Sequence, residues 1–169
     1  ALAHDVGHDG FNNAYHANVM SELAITYNSM SVMESFSSAC LFRILKKPES
    51  NILSRLPESD LKKMRSRLID MILDTDAKNH FILMTRFKHG LEMKQLSRGL
   101  LSSMLLHLAD VSNPARPGFI ARKWAYVVQD EFFNQGDNER KLGLAVSPFM
   151  DREHENLPRM QGAFVDALV

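Results

Sequence analysis

His4-Asp5-Val6-Gly7-His8-Asp9-Gly10-Phe11-Asn12-Asn13 decides how the rest of this 169-residue chain is read. Histidine beside aspartate offers one neutral nitrogen ligand and one anionic oxygen ligand. That pairing suits a borderline-to-hard divalent cation such as zinc, manganese or magnesium. His8 lies one helical turn on and faces the same side if the helix continues. Gly10 and Asn12-Asn13 predict a turn at the helix end. Far downstream, Leu106-His107-Leu108-Ala109-Asp110-Val111-Ser112-Asn113-Pro114 places Asp110 in a second helix-end turn. A His-Asp pair joined by a distant aspartate is how a helical protein builds a metal site from separate helices.

The flanking sequence is helical nearly throughout. Leu61, Met64, Leu68, Met71 and Ile72 recur at helical spacing and predict a helix from about Asp60 to Asp74. Leu101, Met104, Leu105 and Leu108 predict another that ends near Asp110, since Pro114 and Pro117 bar its continuation. Trp124, Val127, Val128 and Phe132 form a third stripe, with Gly136 as its stop signal. Ser31-Val32-Met33-Glu34 reads as a capping box. Ser147-Pro148 breaks the chain before a last helix from about Leu157. The polar stretch Phe87 to Arg98 predicts a longer loop. Strand-like alternation is nearly absent, so the expected class is all-α. Ala1-Leu2-Ala3 reads as the tail of a helix, and Ala163 to Val169 stops inside an apolar helical pattern. Residues 1–169 are therefore expected to be one part of a larger domain.

Composition narrows the function classes. Lys plus Arg equals Asp plus Glu at 20 each, so no global charge recommends nucleic acid or an anionic membrane. Cys40 is the single cysteine, which rules out an internal disulfide and points to a reducing, cytoplasmic setting. No apolar run approaches the roughly 18 residues of a membrane span. Anchors outside these residues remain compatible with that pattern. Ten methionines and ten phenylalanines supply a bulky, pliable core. Lys46-Lys47 and Arg65 with Arg67 read as solvated helix faces.

The opening motif closely resembles the His-Asp-x-x-His-x-Gly-x-x-Asn signature of the class I 3′,5′-cyclic nucleotide phosphodiesterases. The resemblance continues through Ser21-Glu22-Leu23-Ala24 with Tyr27-Asn28, Ser31 to Glu34, Asp74-Thr75-Asp76, Ala109 to Pro114, Glu131 to Asp137, Ser147 to Asp151, and Gln161-Gly162-Ala163-Phe164. It implies an incomplete all-α, multi-helix bundle of the HD superfamily and a two-metal hydrolase. His4, Asp5 and Asp110 resemble the ligands of a tightly held metal, usually zinc. Asp5 would also bridge to a second, usually magnesium or manganese. His8, Glu34 and Thr75 match positions around the second metal's water shell. Two ions roughly 3.5–4 Å apart polarise a phosphodiester and activate hydroxide. Two aspartates leave part of that positive charge for hydroxide and phosphate.

The resemblance also places a base pocket. Gln161 matches a glutamine that pairs with the purine edge, with both donor and acceptor to offer. Phe164 matches the aromatic that stacks on the purine. Val128 would press the other face, with Phe132, Phe149 and Asn113 lining the remainder. Val128 and Phe132 also lie on the Trp124 stripe, and without the resemblance they read as plain core. The implied partner is a cyclic nucleotide, cyclic AMP or cyclic GMP. Gln161 does not choose between them. A homodimer through the parent protein is compatible with the resemblance.

Three departures from the family pattern stand out. Gly7 stands where it usually has aspartate, Asp9 where it has proline, and Ser35-Phe36-Ser37 where it runs Asn-His-His. Loss of a partner that supports a ligand costs roughly ten- to a hundredfold in affinity or activity. The family's earlier His-Asn-x-x-His block, which carries the general-acid histidine, has no counterpart before His4. His16, His80, His89 and His154 are not spaced to replace it, and His80 and His107 read as packed histidines. This chain alone is thus expected to have little activity, and a parent protein carrying that block would be the enzyme. Two other readings stay open: another HD-type nucleotide phosphohydrolase, and a degenerate module that binds cyclic nucleotide without turnover.

Overall fold

A computed structural model describes residues 1–168. Eight α-helices carry them: α1 (Asn13–Asn18), α2 (Glu22–Thr26), α3 (Val32–Leu45), α4 (Glu58–Leu73), α5 (His80–Glu92), α6 (Arg98–Asp110), α7 (Gly118–Lys141) and α8 (Leu157–Leu168). No strand occurs among the described residues, so the chain is all-α as its periodicity predicts. Val169, which ends the apolar C-terminal pattern, lies outside them. Side-chain oxygens start several helices. Asn12 accepts from the Tyr15 N–H at 2.8 Å, Ser21 from Ala24 at 3.1 Å, and Ser97 from Leu100 at 3.2 Å. Each satisfies an amide that the first helical turn leaves unpaired.

Helix α4 packs on α3 and α6, and α5 packs on α6. The α4 stripe is fully buried only at Ile72. Met64, Leu68 and Met71 instead border a 240 Å³ apolar cavity with Leu41, Leu45 and Leu106. Helix α7 leans on a 3₁₀ turn, Asn113–Ala115, and on α8.

Five local expectations are corrected. The Phe87–Arg98 stretch is mostly helix, and only residues 93–97 separate α5 from α6. Its polar side chains Lys88, His89 and Glu92 form the exposed face of α5, while Leu83 and Gly90 are buried. Gly90 admits Leu96, whose Cδ1 would lie 3.0 Å from an added Cβ. Gly136 does not stop α7, which runs on to Lys141 and turns off at Gly143, φ +71°. Gly136 instead gives the Met150 carbonyl room that no side chain would leave.

Ser31 and Glu34 form no capping box. Ser31 sits at φ +42° and its hydroxyl accepts from Lys78 Nζ at 2.8 Å. Asn13 caps α3 from a distance, its Oδ1 accepting the Met33 N–H at 2.9 Å. Residues 2–7 are successive turns, not a helix tail, and Gly7 at φ +84° ends them. His8 therefore does not continue a helical face. Lastly, Trp124 and Val127 are about half exposed, at 48% and 57%. The buried side of α7 is Ala125, Phe133, Gln135, Gly136 and Glu139.

Candidate metal centre

The turn at residues 2–7 and the C-terminus of α6 bring three ligand-type groups together. His4 Nε2 lies 3.1 Å from Asp5 Oδ2 and 3.1 Å from Asp110 Oδ1. One ligand atom from each residue falls within 4.8 Å of the others. His4 Nδ1 lies 2.8 Å from the Ala1 carbonyl, to which it donates. That bond turns Nε2 toward the two carboxylates, the orientation a metal-binding imidazole needs. Asp110, then Asp5, accept from the His4 ring and push its pKa up to about 10. The same contact holds Asp5 below the usual carboxylate range. Without a metal, the site thus draws a positive charge between its carboxylates. An imidazole nitrogen and two carboxylate oxygens converging in this way fit a divalent cation.

These residues open into a cavity of about 460 Å³, whose wall includes His8, Asn113, Trp124, Val128 and Glu131. His8 also borders a neighbouring 270 Å³ cavity with Asn13, Glu34 and Asp76. There Asn13 Nδ2 donates to Glu34 Oε2 at 2.9 Å and reaches Asp76 Oδ2 at 3.4 Å. Lys78 Nζ pairs with Asp76 at 2.9 Å. Burial raises the Glu34 pKa, Asn13 opposes the rise, and the Asp76 charge adds to it. Two facing carboxylates with one ammonium leave that cavity receptive to a cation or its waters.

A buried polar chain fixes this region to the C-terminal loop. Gln135 Oε1 accepts the Asn12 N–H at 2.9 Å, and Gln135 Nε2 donates to Glu139 at 2.8 Å. Glu139 also accepts from the Ser147 N–H at 2.6 Å and the Ser147 hydroxyl at 2.7 Å. Phe149 follows in the left-handed region at φ +66°. An aromatic is held there only where its surroundings over-determine it. The Glu139 bonds and the Met150 contact with Gly136 supply that constraint.

Of the predicted site residues, His4, Asp5, Asp110, His8, Asn113 and Val128 share the larger cavity. Glu34 lies in the smaller one. Thr75, Phe132, Phe149, Gln161 and Phe164 line neither. The Thr75 hydroxyl donates to the Ile72 carbonyl at 2.6 Å. His80 and His107 are buried, Nδ1 to Nε2 at 2.8 Å, as packed histidines should be. Sequence reasoning missed Ala109, Trp124, Val127 and Glu131 as cavity wall. Glu131 carried the signal: a charge closing the Trp124 stripe marks that face as wetter than a core.

Fold and site together define an all-helical protein with a histidine–aspartate cluster of metal-ligand type. The pattern described as 3′5′-cyclic nucleotide phosphodiesterase matches residues 1–169, and the chain belongs to that family. It is 38% identical over 169 residues to the high affinity cGMP-specific 3′,5′-cyclic phosphodiesterase 9A of Homo sapiens, covering 98% of this chain and 28% of that protein. The 3′,5′-cyclic-nucleotide phosphodiesterase regA of Dictyostelium discoideum is 36% identical over 171 residues, covering 98% and 22%. The solved phosphodiesterase domain of Salpingoeca rosetta rhodopsin phosphodiesterase superposes with a TM-score of 0.92 at 31% identity, over 99% of this chain and 54% of that one. The chain thus spans about half of that solved chain and under a third of these curated relatives.

Proposed function

We propose that residues 1–169 are part of a catalytic domain that hydrolyses 3′,5′-cyclic nucleotides to 5′-monophosphates and so ends a second-messenger signal. The convergence of His4, Asp5 and Asp110 on the wall of a 460 Å³ cavity carries this reading. Family membership and the names of the relatives support it. Two divalent ions, zinc with magnesium or manganese, would supply Lewis-acid polarisation of the phosphodiester and a hydroxide at neutral pH. His4, Asp5 and Asp110 would hold one, and Asp5 would face the second. His8, Glu34 and Thr75 would order water about the second. Asn113, Val128, Phe132, Phe149, Gln161 and Phe164 would bind the nucleoside. Ala1 keeps the His4 ring turned toward the carboxylates, and the Gln135–Glu139 chain holds the Phe149 loop. The protein would work in the cytoplasm. No helix among the described residues is long and apolar enough to cross a membrane.

The test is hydrolysis of cyclic AMP and cyclic GMP by the full-length protein, with and without chelator, beside Asp110→Ala. Metal-dependent turnover that the substitution abolishes is expected, and the better substrate gives the specificity. Bound metal with no turnover of either nucleotide would overturn the hydrolase and leave a binding module.

A further inference from the structure

The first turns of α7 carry a patch that the proposed chemistry does not use. Phe119 is 70% exposed and Tyr126 is 53% exposed. They lie two helical turns apart, with Arg122 and Lys123 between them at the spacing that shares a face. These four residues and Gly118 border a shallow surface hollow. Arg116, exposed, precedes the helix. Arg116, Arg122 and Lys123 form no salt bridge among the described residues. The next acid along the stripe, Asp130, forms no salt bridge with them among the described residues either. Phe119, Arg122, Lys123 and Tyr126 are absent from the wall of the metal cavity, which α7 forms with Trp124, Val127, Val128 and Glu131. The two sets of residues thus lie on separate faces of the helix.

We infer that this patch docks the protein on the anionic surface of a lipid bilayer. Aromatic rings flanked by unpaired cations suit the headgroup boundary. The rings enter the acyl border, while Arg and Lys keep their charges at the lipid phosphates. Among the described residues one helix builds the hollow, with no second wall to clasp a peptide. A broad surface meets it better. The charge is local, since the whole chain is balanced at 20 basic and 20 acidic residues. Docked this way, the wall residues of the metal cavity stay off the lipid and the cavity remains open to a soluble substrate.

Co-sedimentation of the full-length protein with vesicles tests this. Phosphatidylcholine with about 30% phosphatidylserine should bind it, phosphatidylcholine alone should not, and added salt should release it. Arg122→Ala with Lys123→Ala should weaken binding about 25-fold, roughly fivefold for each cation lost. Arg122→Lys with Lys123→Arg should retain it, and Phe119→Ser with Tyr126→Ser should weaken it. All three pairs should leave hydrolysis of soluble substrate unchanged, which shows that they fold. Binding that ignores the lipid charge, or survives both disruptive pairs, would overturn the inference. So would capture by an immobilised acidic peptide through the same residues with no binding to vesicles.

Discussion

Gly7 and Phe36 are two departures from the family pattern that touch one another. A Cβ on Gly7 would lie 2.9 Å from Phe36 Cε1 and 3.5 Å from Cys40 Sγ. Gly7 also holds φ +84°, which an L side chain resists. Restoring the aspartate alone should therefore harm the fold. Gly7→Asp is expected to cost about 2–3 kcal/mol from strain and overpacking. Adding Phe36→His should return part of it, with a coupling of about 1 kcal/mol or more in a double-mutant cycle of urea unfolding. Additive effects would mean that the two positions are independent. Ser37, 1% exposed, has a hydroxyl with no hydrogen-bond partner among the described residues. Ser37→Ala removes only an unsatisfied polar group. It should leave stability unchanged or raise it by about 1 kcal/mol, and a fall in Tm of the purified protein would show that a partner, such as water, is present.

Helix α7 shows where an element can be legible in sequence while its orientation is not. Its existence follows from the spacing of Trp124, Val127, Val128 and Phe132. Periodicity reports that residues share a face, and says nothing of what covers that face. The buried side is partly polar because Gln135 and Glu139 tie Asn12 to Ser147, a long-range purpose that no local pattern announces. Gly136 is ambiguous in sequence for the same reason. A glycine serves a chain end and a close crossing equally well, and only tertiary contact separates the two. Gly136→Ala tests the crossing, because its methyl would press on the Met150 carbonyl. The loop should shift, costing about 3 kcal/mol. If Phe149 binds the nucleoside, KM should rise more than kcat falls. A loss confined to kcat in a protein of unchanged Tm would contradict the proposed role of that loop.

At the scale of the molecule, the all-α class and the His4–Asp5–Asp110 meeting were legible, the first from periodicity and the second from ligand-type residues placed in turns, His4 and Asp5 within residues 2–7 and Asp110 at the end of α6. Capping by Asn13 and the buried histidine pair were not, because each joins residues far apart in sequence. His4 and His107 together predict how stability follows pH. With metal removed, the folded state raises the His4 pKa from 6.5 to about 10. That contribution is fully present below pH 6.5 and is lost as pH climbs toward 10. His107 is opposite: burial, then the His80 charge, lowers its pKa from 6.5. Its neutral form costs nothing extra above pH 6.5, and stability falls as acid forces a proton onto it. Comparing urea midpoints with those of each variant isolates both effects. His4→Asn should flatten the fall above pH 6.5, and His107→Gln should flatten the fall below it. Divalent metal should act as His4→Asn does on the alkaline side, because binding at Nε2 displaces the proton whose loss produces that slope. If metal raised the midpoint but left the alkaline slope intact, His4 would not be a ligand.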